Sequence, residues 1–109
     1  MRIRLPKKSK YRAVRTTVGG VTFASKKEAA RYVMLKAMEQ AGEISDLELQ
    51  PSYPLKVNGV LICTYRGDFR YREKDGTVVV NDVKGFLTPA YRIKKKLMKA
   101  LYSIEILET

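Results

Sequence analysis

Two aspartates and a lysine stand close together in residues 65–85, YRGDFRYREKDGTVVVNDVKG. Asp68 lies in an arginine-rich segment, and Asp82 and Lys84 end a run of valines. Because side chains alternate between the two faces of a strand, Asp82 and Lys84 are predicted on one face and Val83 on the other. The valine run is apolar on both faces, which predicts an interior strand, where a charged side chain needs a partner.

The turn between the two segments decides whether the aspartates meet. If residues 74–76 form a three-residue loop with a left-handed glycine, the numbers of paired residues add up to 150. Asp68 then lies opposite Asp82, with the Cβ atoms about 4.5–5.5 Å apart. Two carboxylates at that distance repel each other, and a divalent cation between them reverses the sign. A two-residue loop would separate the acids.

An ion-pair lattice is the competing interpretation of Asp68. Arg66, Arg70 and Arg72 are predicted on the same strand face, so the carboxylate could simply pair with an arginine.

The composition narrows the chemistry. The 109 residues include no histidine and one cysteine, Cys63, which excludes a histidine base, a Cys–His dyad, an internal disulfide and a cysteine-rich zinc site. Twenty-two Lys and Arg against eleven Asp and Glu give a net charge of +11, which favours a polyanionic partner such as nucleic acid. The single cysteine predicts a reducing, cytoplasmic environment. The apolar runs are too short for a membrane span, and no signal-peptide pattern follows the basic start.

Residues 1–17 are predicted to form a flexible or loosely docked basic arm, and residues 18–109 a single domain. The arm contains seven cations and no acid: Arg2, Arg4, Lys7, Lys8, Lys10, Arg12 and Arg15. It is interpreted as a phosphate-binding segment, with a solvated tail as the alternative.

Two helices are predicted from their caps. The first follows Ser25 and ends at Gly42, and the second follows Thr88 and covers residues 89–102. Periodicity predicts that each helix packs through an apolar stripe. The first stripe is Ala30, Val33, Met34, Ala37, Met38 and Ala41; the second is Ala90, Ile93, Leu97, Ala100 and Leu101.

Strands are predicted between and after the helices. Residues 43–57 are extended with bends at the prolines, Asn58-Gly59 is a hairpin turn, and residues 60–72, 77–84 and 103–108 are strands. The order helix, three strands, helix, strand predicts an α/β fold with a mixed central sheet flanked by two helices.

With the acids and lysine on these elements, residues 20–108 resemble the PD-(D/E)xK nuclease superfamily, whose restriction-endonuclease-like core is αβββαβ. Asp68, Asp82 and Lys84 match its motif, and Gly67 replaces the proline before the first acid, a departure expected to be harmless. The segments VTFASKKEAARY, LQPSYPL, YRGDFRY and DVKGFLTPAYRIKKKLM look like a small group of phage-encoded nucleases. Similar cores occur in phage and archaeal Holliday junction resolvases and in transposon end-cleaving subunits.

The resemblance adds two residues to the site. An acid on the first helix often joins the metal site, and Glu28 is the matching position; Ser25-x-x-Glu28 is equally a capping box. Gln50 lies where related nucleases carry a polar residue near the site, and the alternative is a strand-end glutamine bonding the backbone.

These assignments imply a Mg²⁺- or Mn²⁺-dependent endonuclease leaving 5′-phosphates. Asp68, Asp82 and the Val83 carbonyl would supply hard oxygen ligands, with Glu28 as a further ligand and Lys84 beside the reacting water. DNA would also contact Arg66 and a ridge on the second helix, unless that ridge is only solvated: Arg92, Lys95, Lys96 and Lys99.

The sequence leaves the form of the substrate open among junction, flap, nick, duplex and RNA. Branched or four-way-junction DNA is favoured, because so small a domain has little room to read a base sequence. The resemblance implies a role in phage recombination or replication in the host cytoplasm. Paired cuts would require a homodimer. The candidate surfaces are residues 21–23, Leu47 with Leu49, and the terminal IEIL segment. The alternatives are a non-cutting nucleic-acid-binding protein of the same fold and a basic subunit of a larger phage assembly.

Overall fold

The computed structural model describes residues 14–83 and 87–109, which form an α/β fold. Its strands are β1 Thr16–Val18, β2 Val21–Phe23, β3 Ile44–Leu49, β4 Ser52–Val57, β5 Val60–Arg66, β6 Phe69–Glu73, β7 Val78–Asp82 and β8 Leu107–Glu108. Its helices are α1 Lys26–Gln40 and α2 Pro89–Tyr102.

A mixed four-stranded sheet carries the candidate site. Its strand order is β3-β6-β7-β8. β6 is antiparallel to both of its neighbours, β3 and β7, and β8 is parallel to β7 because the chain crosses over through α2. β7 is therefore an interior strand, as its valine run predicts, and Val80 and Asn81 are fully buried. The prediction of a mixed sheet with two helices is confirmed.

The two helices cover opposite faces of the sheet. Ala29 and Leu35 of α1 pack with Phe69 of β6, whereas Tyr91 and Met98 of α2 pack in a second cluster that includes Val80. Odd- and even-numbered residues of β6 and β7 thus face α1 and α2 respectively.

Two hairpins are added to this sheet. β1 pairs with β2, and β4 pairs with β5. The β4–β5 turn is Asn58-Gly59, with φ angles of 50° and 79°, as predicted for a tight hairpin. The β4–β5 hairpin lies between β3 and β6 in the chain. It contacts α2 through Tyr53, whose ring packs against that of Tyr102.

The continuous strand predicted over residues 60–72 is wrong. The chain leaves β5 at Arg66 and enters β6 at Phe69, because β5 pairs with β4 whereas β6 pairs with β3 and β7. Gly67 and Asp68 form the joint, and the Gly67 N–H donates to the Pro51 carbonyl at 3.0 Å.

The strand predicted over residues 103–108 is also too long, since only Leu107 and Glu108 pair with β7. Ser103 instead ends α2 in the left-handed region, with φ of 57°. The candidate dimer segments mostly contribute to the core. Phe23 and Ile106 are buried, and Leu47 and Leu49 are partly buried against the cluster that contains Ala29 and Leu35 of α1.

The stripe predicted to bury α1 is wrong. Val33 and Met34 are about half exposed at 52% and 49%, and only Met38 of that set is partly buried against the core. Compared with the prediction, α1 turns a different face to the core, one with larger side chains. Tyr32 lies with its ring centroid 5.0 Å from Phe23, and Leu35 is fully buried, so this face removes more apolar area from water than an alanine-rich one would.

The α2 stripe is wrong in the same way. Ile93 is 58% exposed, and Leu101 is exposed as well, whereas Tyr91 and Met98 are buried. Leu97 is the member of the predicted set that packs partly against the core.

The helix bounds and caps agree with prediction. Ser25 and Thr88 accept hydrogen bonds from the Glu28 and Tyr91 N–H groups at 3.1 and 3.0 Å. Gly42, with φ of 78°, follows α1. The predicted arm needs a different boundary, because Thr16 and Thr17 belong to β1; its residues 1–13 lie outside the described part of the chain. No helix in the described ranges is long and apolar enough to cross a membrane.

Candidate active site

The β6–β7 hairpin has the predicted register. Phe69 pairs with Asn81 and Arg72 with Val78, so the numbers of paired residues add up to 150. The Glu73 N–H donates to the Thr77 carbonyl at 2.9 Å, and Gly76 has φ of 91°, which identifies the three-residue loop. Asp68, just before β6, is thereby brought beside Asp82 at the end of β7.

The carboxyl of Asp68 is held in an acidic, partly buried environment. Burial raises its pKa to about 7, and the negative charges of Glu28 and Asp82 and a hydrogen bond with the Asp82 carboxyl add to this rise. The Val83 N–H opposes the rise by donating to Asp68 Oδ2 at 2.7 Å. The main chain of Val83, whose carbonyl is the predicted ligand, therefore runs beside this carboxylate.

Asp82 is buried, with 8% exposure, and accepts a hydrogen bond from the Tyr65 hydroxyl at Oδ2 over 2.7 Å. Tyr65 is 2% exposed, and burial together with the Asp82 carboxylate raises its pKa, so the hydroxyl stays protonated and donates. The second tyrosine near Asp82 is Tyr91, whose hydroxyl donates to Glu108 at 2.5 Å.

Glu28 serves the first turn of α1 and faces the aspartates. Burial and the charge of Asp82 raise its pKa, whereas hydrogen bonds with the Ala24 backbone and the Ser25 side chain lower it. The net direction is upward. Glu28 thus both belongs to the N-terminal cap of α1 and lies near the two aspartates, so the two interpretations of this residue are compatible.

Gln50 lies beside the first aspartate through its main chain, since its N–H donates to the Asp68 carbonyl at 2.9 Å. Its side chain is exposed, and its φ of 50° is a left-handed conformation unusual for a residue other than glycine.

Gly67 is more constrained than its substitution for proline suggests. A Cβ at this position would lie 3.1 Å from Val80 Cγ1 and 3.3 Å from the Tyr65 hydroxyl. A proline would also lack the N–H that binds Pro51. The local packing therefore requires glycine at this position, and the harmlessness of this departure from the motif stays a prediction.

Three residues of the site were not singled out from the sequence. Tyr65 contacts Asp82, and Arg31 of α1 donates through Nε to the Asn81 side chain at 2.8 Å. Asn81 in turn donates to the Leu107 carbonyl at 2.9 Å, which ties β7 to β8. A polar residue inside a valine run was the available signal for Asn81. Tyr65 has no such signal, because an aromatic residue in a strand is ordinary core.

The arginines of β6 bind other acids. Arg70 pairs with Glu48 and hydrogen-bonds Tyr53, and Arg72 pairs with Asp46. No ion pair joins Asp68 to a cation in the described ranges. The ion-pair lattice therefore does not account for Asp68. Arg66 is exposed at the end of β5, and Lys84 lies outside the described residues.

The donor set fits a divalent cation bound by two carboxylates. Asp68 and Asp82 are hard oxygen donors that hydrogen-bond each other, and the pKa of Asp68 is raised first by burial and then by the charges of Glu28 and Asp82. A fuller protein cage is not formed: across residues 14–83 and 87–109, no group of three or more His, Cys, Asp or Glu side chains is placed to hold a metal ion.

The cations of α2 share one surface. Arg92, Lys95, Lys96 and Lys99 line a depression of 340 Å³ together with Glu105. Lys95 pairs with Glu108 at 3.0 Å and Lys99 with Glu105 at 2.9 Å. A larger depression, of 680 Å³, lies near the start of β7 and contains the paired Arg70 and Arg72, so it is separate from the aspartates.

The chain belongs to a protein family described as "Protein of unknown function (DUF1064)", whose model matches residues 8–107. No curated protein and no solved structure matches it at a significant level.

Proposed function

We propose that this protein is a metal-dependent DNA endonuclease of the PD-(D/E)xK type. The observation that carries the proposal is the pair of carboxylates, Asp68 and Asp82, side by side at the end of an interior strand with no arginine neutralising Asp68 among the described residues. The order α1, β3, β6, β7, α2, β8 supports a restriction-endonuclease-like αβββαβ core, with the β4–β5 hairpin as an insertion.

Asp68 and Asp82 would hold Mg²⁺ or Mn²⁺, with Glu28 near enough to influence the charge of both acids. When bound, the ion would lower the pKa of a water molecule and stabilise negative charge on the phosphate. Lys84 follows Asp82 by two residues in the sequence and would orient the attacking water. Arg92 and Lys96, for which no ion pair is found among the described residues, would hold the phosphate backbone along α2.

DNA is proposed as the substrate because of the charge of +11 and the basic depression on α2. Branched DNA, including four-way junctions, is the favoured form, and paired cuts on it would require a homodimer. A non-cutting DNA-binding protein of the same fold is the second candidate, and the observation on its side is that no three-ligand metal cage is found in the described part of the chain. The pair formed by Asp68 and Asp82 favours the enzyme.

Cleavage of a labelled panel of duplex, flap and four-way-junction DNA separates the two candidates. Asp82→Ala and Lys84→Ala are expected to abolish Mg²⁺-dependent cutting while DNA binding persists, because they remove reacting-site groups and leave the basic surface intact. Glu43→Gln is a matched control, since Glu43 is an exposed acid distant in sequence from the motif. DNA binding by the wild type without cleavage of any substrate would support the second candidate.

A further inference from the structure

Tyr65 joins the inserted hairpin to the candidate metal ligands. It is in β5, pairs across the hairpin with Tyr53, and is buried with Leu55, Val80 and Met98. Its hydroxyl reaches out of β5 to Asp82 Oδ2, at the end of a strand in a different sheet.

The position of the hydroxyl is fixed by packing on two sides. The ring packs in the buried cluster that contains Val80 and Met98. Gly67 leaves only the space of a hydrogen atom beside the hydroxyl, since a Cβ there would lie 3.3 Å from it. A donor held so rigidly fixes the plane of the acceptor carboxylate, because Asp82 can rotate only by giving up a buried hydrogen bond. Buried carboxylates that bind metals depend on such hydrogen-bond donors for their orientation.

We infer that Tyr65 is a positioning residue that orients Asp82 for binding of the divalent cation. This inference rests on the proposed function, because it assigns a role to Tyr65 in the same site. Tyr65 itself would contact neither the ion nor the DNA.

Mn²⁺ titration of Tyr65→Phe, followed by the electron paramagnetic resonance signal of the free ion, tests the inference. Phe keeps the ring and removes only the hydroxyl. The Kd for Mn²⁺ is expected to rise about tenfold or more, within the 10–100-fold range typical of removing outer-shell hydrogen bonds. Tyr53→Phe is the matched control, because Tyr53 is a buried tyrosine of the same cluster whose hydroxyl binds Arg70. Its Kd is expected to stay at the wild-type value.

Two further readouts distinguish orientation from general stability. Thermal melting in EDTA is expected to show both variants folded. Where cleavage is measurable, the Mn²⁺ concentration giving half-maximal rate is expected to rise in Tyr65→Phe while the KM for DNA stays constant. Equal Mn²⁺ affinity in Tyr65→Phe and wild type overturns the positioning role but leaves the proposed function standing. Absence of Mn²⁺ binding by the wild type overturns both, and a tighter Kd in Tyr65→Phe overturns the positioning role alone.

Discussion

Asp68 makes the stability of the metal-free protein depend on pH. Its folded-state pKa of about 7 lies above its ordinary value of 3.8, so the folded state holds the proton more tightly than the unfolded state does. Below about pH 4 both states are protonated and the group has no effect on the free energy of unfolding. Between these values stability falls as pH rises, and above about pH 7 the full cost of ionising Asp68 in the folded state is present.

Asp68→Asn is therefore expected to raise the Tm of the metal-free protein at pH 8 and to change it little at pH 4. The amide oxygen can still accept from the Val83 N–H, and the substitution removes the cost of burying a charge together with the repulsion from Glu28 and Asp82. Thermal melting in EDTA across this pH range measures the effect.

Asp75→Asn provides a control of opposite sign. The hydrogen bonds that Thr77 donates to the exposed Asp75 lower the pKa of that carboxyl, so its charge favours the folded state above its ordinary pKa. This variant is expected to have a lower, not a higher, Tm at pH 8. If Asp68→Asn also lowers the Tm at pH 8, the folded protein stabilises the ionised form of Asp68, which would contradict the raised pKa of this carboxyl.

At the scale of elements, the joint between β5 and β6 determines the geometry of the site. Gly67 follows the last residue of β5 and packs against Val80 and Tyr65. It thereby places Asp68 at the open end of the β6–β7 hairpin, opposite the turn. Any side chain here has to displace either the sheet or the tyrosine that binds Asp82.

Gly67→Ala is expected to destabilise the fold by about 1–3 kcal/mol through overpacking and to weaken Mn²⁺ binding as well. Gly76→Ala is the informative comparison, because a Cβ at Gly76 meets no atom within 4 Å and only its φ of 91° is unfavourable. That variant should lose stability without losing Mn²⁺ affinity. Chemical denaturation and Mn²⁺ titration measure the two quantities, and equal Mn²⁺ affinities in both variants would contradict a role for Gly67 in shaping the site.

The four cations of α2 are not equivalent. Lys95 pairs with Glu108, and Lys99 pairs with Glu105. Each of these lysines has to give up its ion pair before it binds a phosphate. Arg92→Gln is expected to reduce the slope of log affinity against log salt by about 0.9, the value of one phosphate contact. Lys99→Gln should reduce it by less. DNA binding measured over a range of salt concentrations tests this, and equal slopes in the two variants would show that the ion pairs do not matter.

Local signals in the sequence predict the helix ends and the register of the β6–β7 hairpin well. The three-residue loop at 74–76 follows from one glycine, and the loop alone sets which residues face each other in the hairpin. The helix ends follow from Ser25 and Thr88, whose side chains bind the backbone within three residues.

Features that depend on distant partners were predicted poorly. The buried face of α1 is set by Phe23 and Phe69, which accept Tyr32 and Leu35 better than the alanine stripe does. The break at Gly67 depends on the Pro51 carbonyl, and the contact between Tyr65 and Asp82 joins two sheets. None of these contacts has a periodic or compositional signal.

For the whole molecule, the basic residues before β1 are the largest single contribution to the charge. Residues 1–13 include six cations and no acid: Arg2, Arg4, Lys7, Lys8, Lys10 and Arg12. Arg15 is exposed, and β1 begins at Thr16.

Deleting residues 1–13 is expected to weaken DNA binding while the Tm is unchanged. The salt slope should fall by up to about 0.9 for each phosphate that these residues neutralise. Deleting residues 1–17 should in addition lower the Tm, because it removes most of β1 and its pairing with β2. Salt-dependent binding and thermal melting of the two truncations measure both effects. An unchanged salt slope in the shorter deletion would place this segment off the DNA path.

The parallel pairing of β7 with β8 has a consequence for folding kinetics. The hairpins close through turns of two or three residues, whereas β8 can reach β7 only after the chain has crossed over through α2. Until then β7 is an edge strand, and Asn81 lacks its contacts with Leu107 and Thr109. The strand that carries Asp82 is thus expected to be completed among the last steps of folding, so the two acids acquire their final environment only when nearly the whole chain has formed.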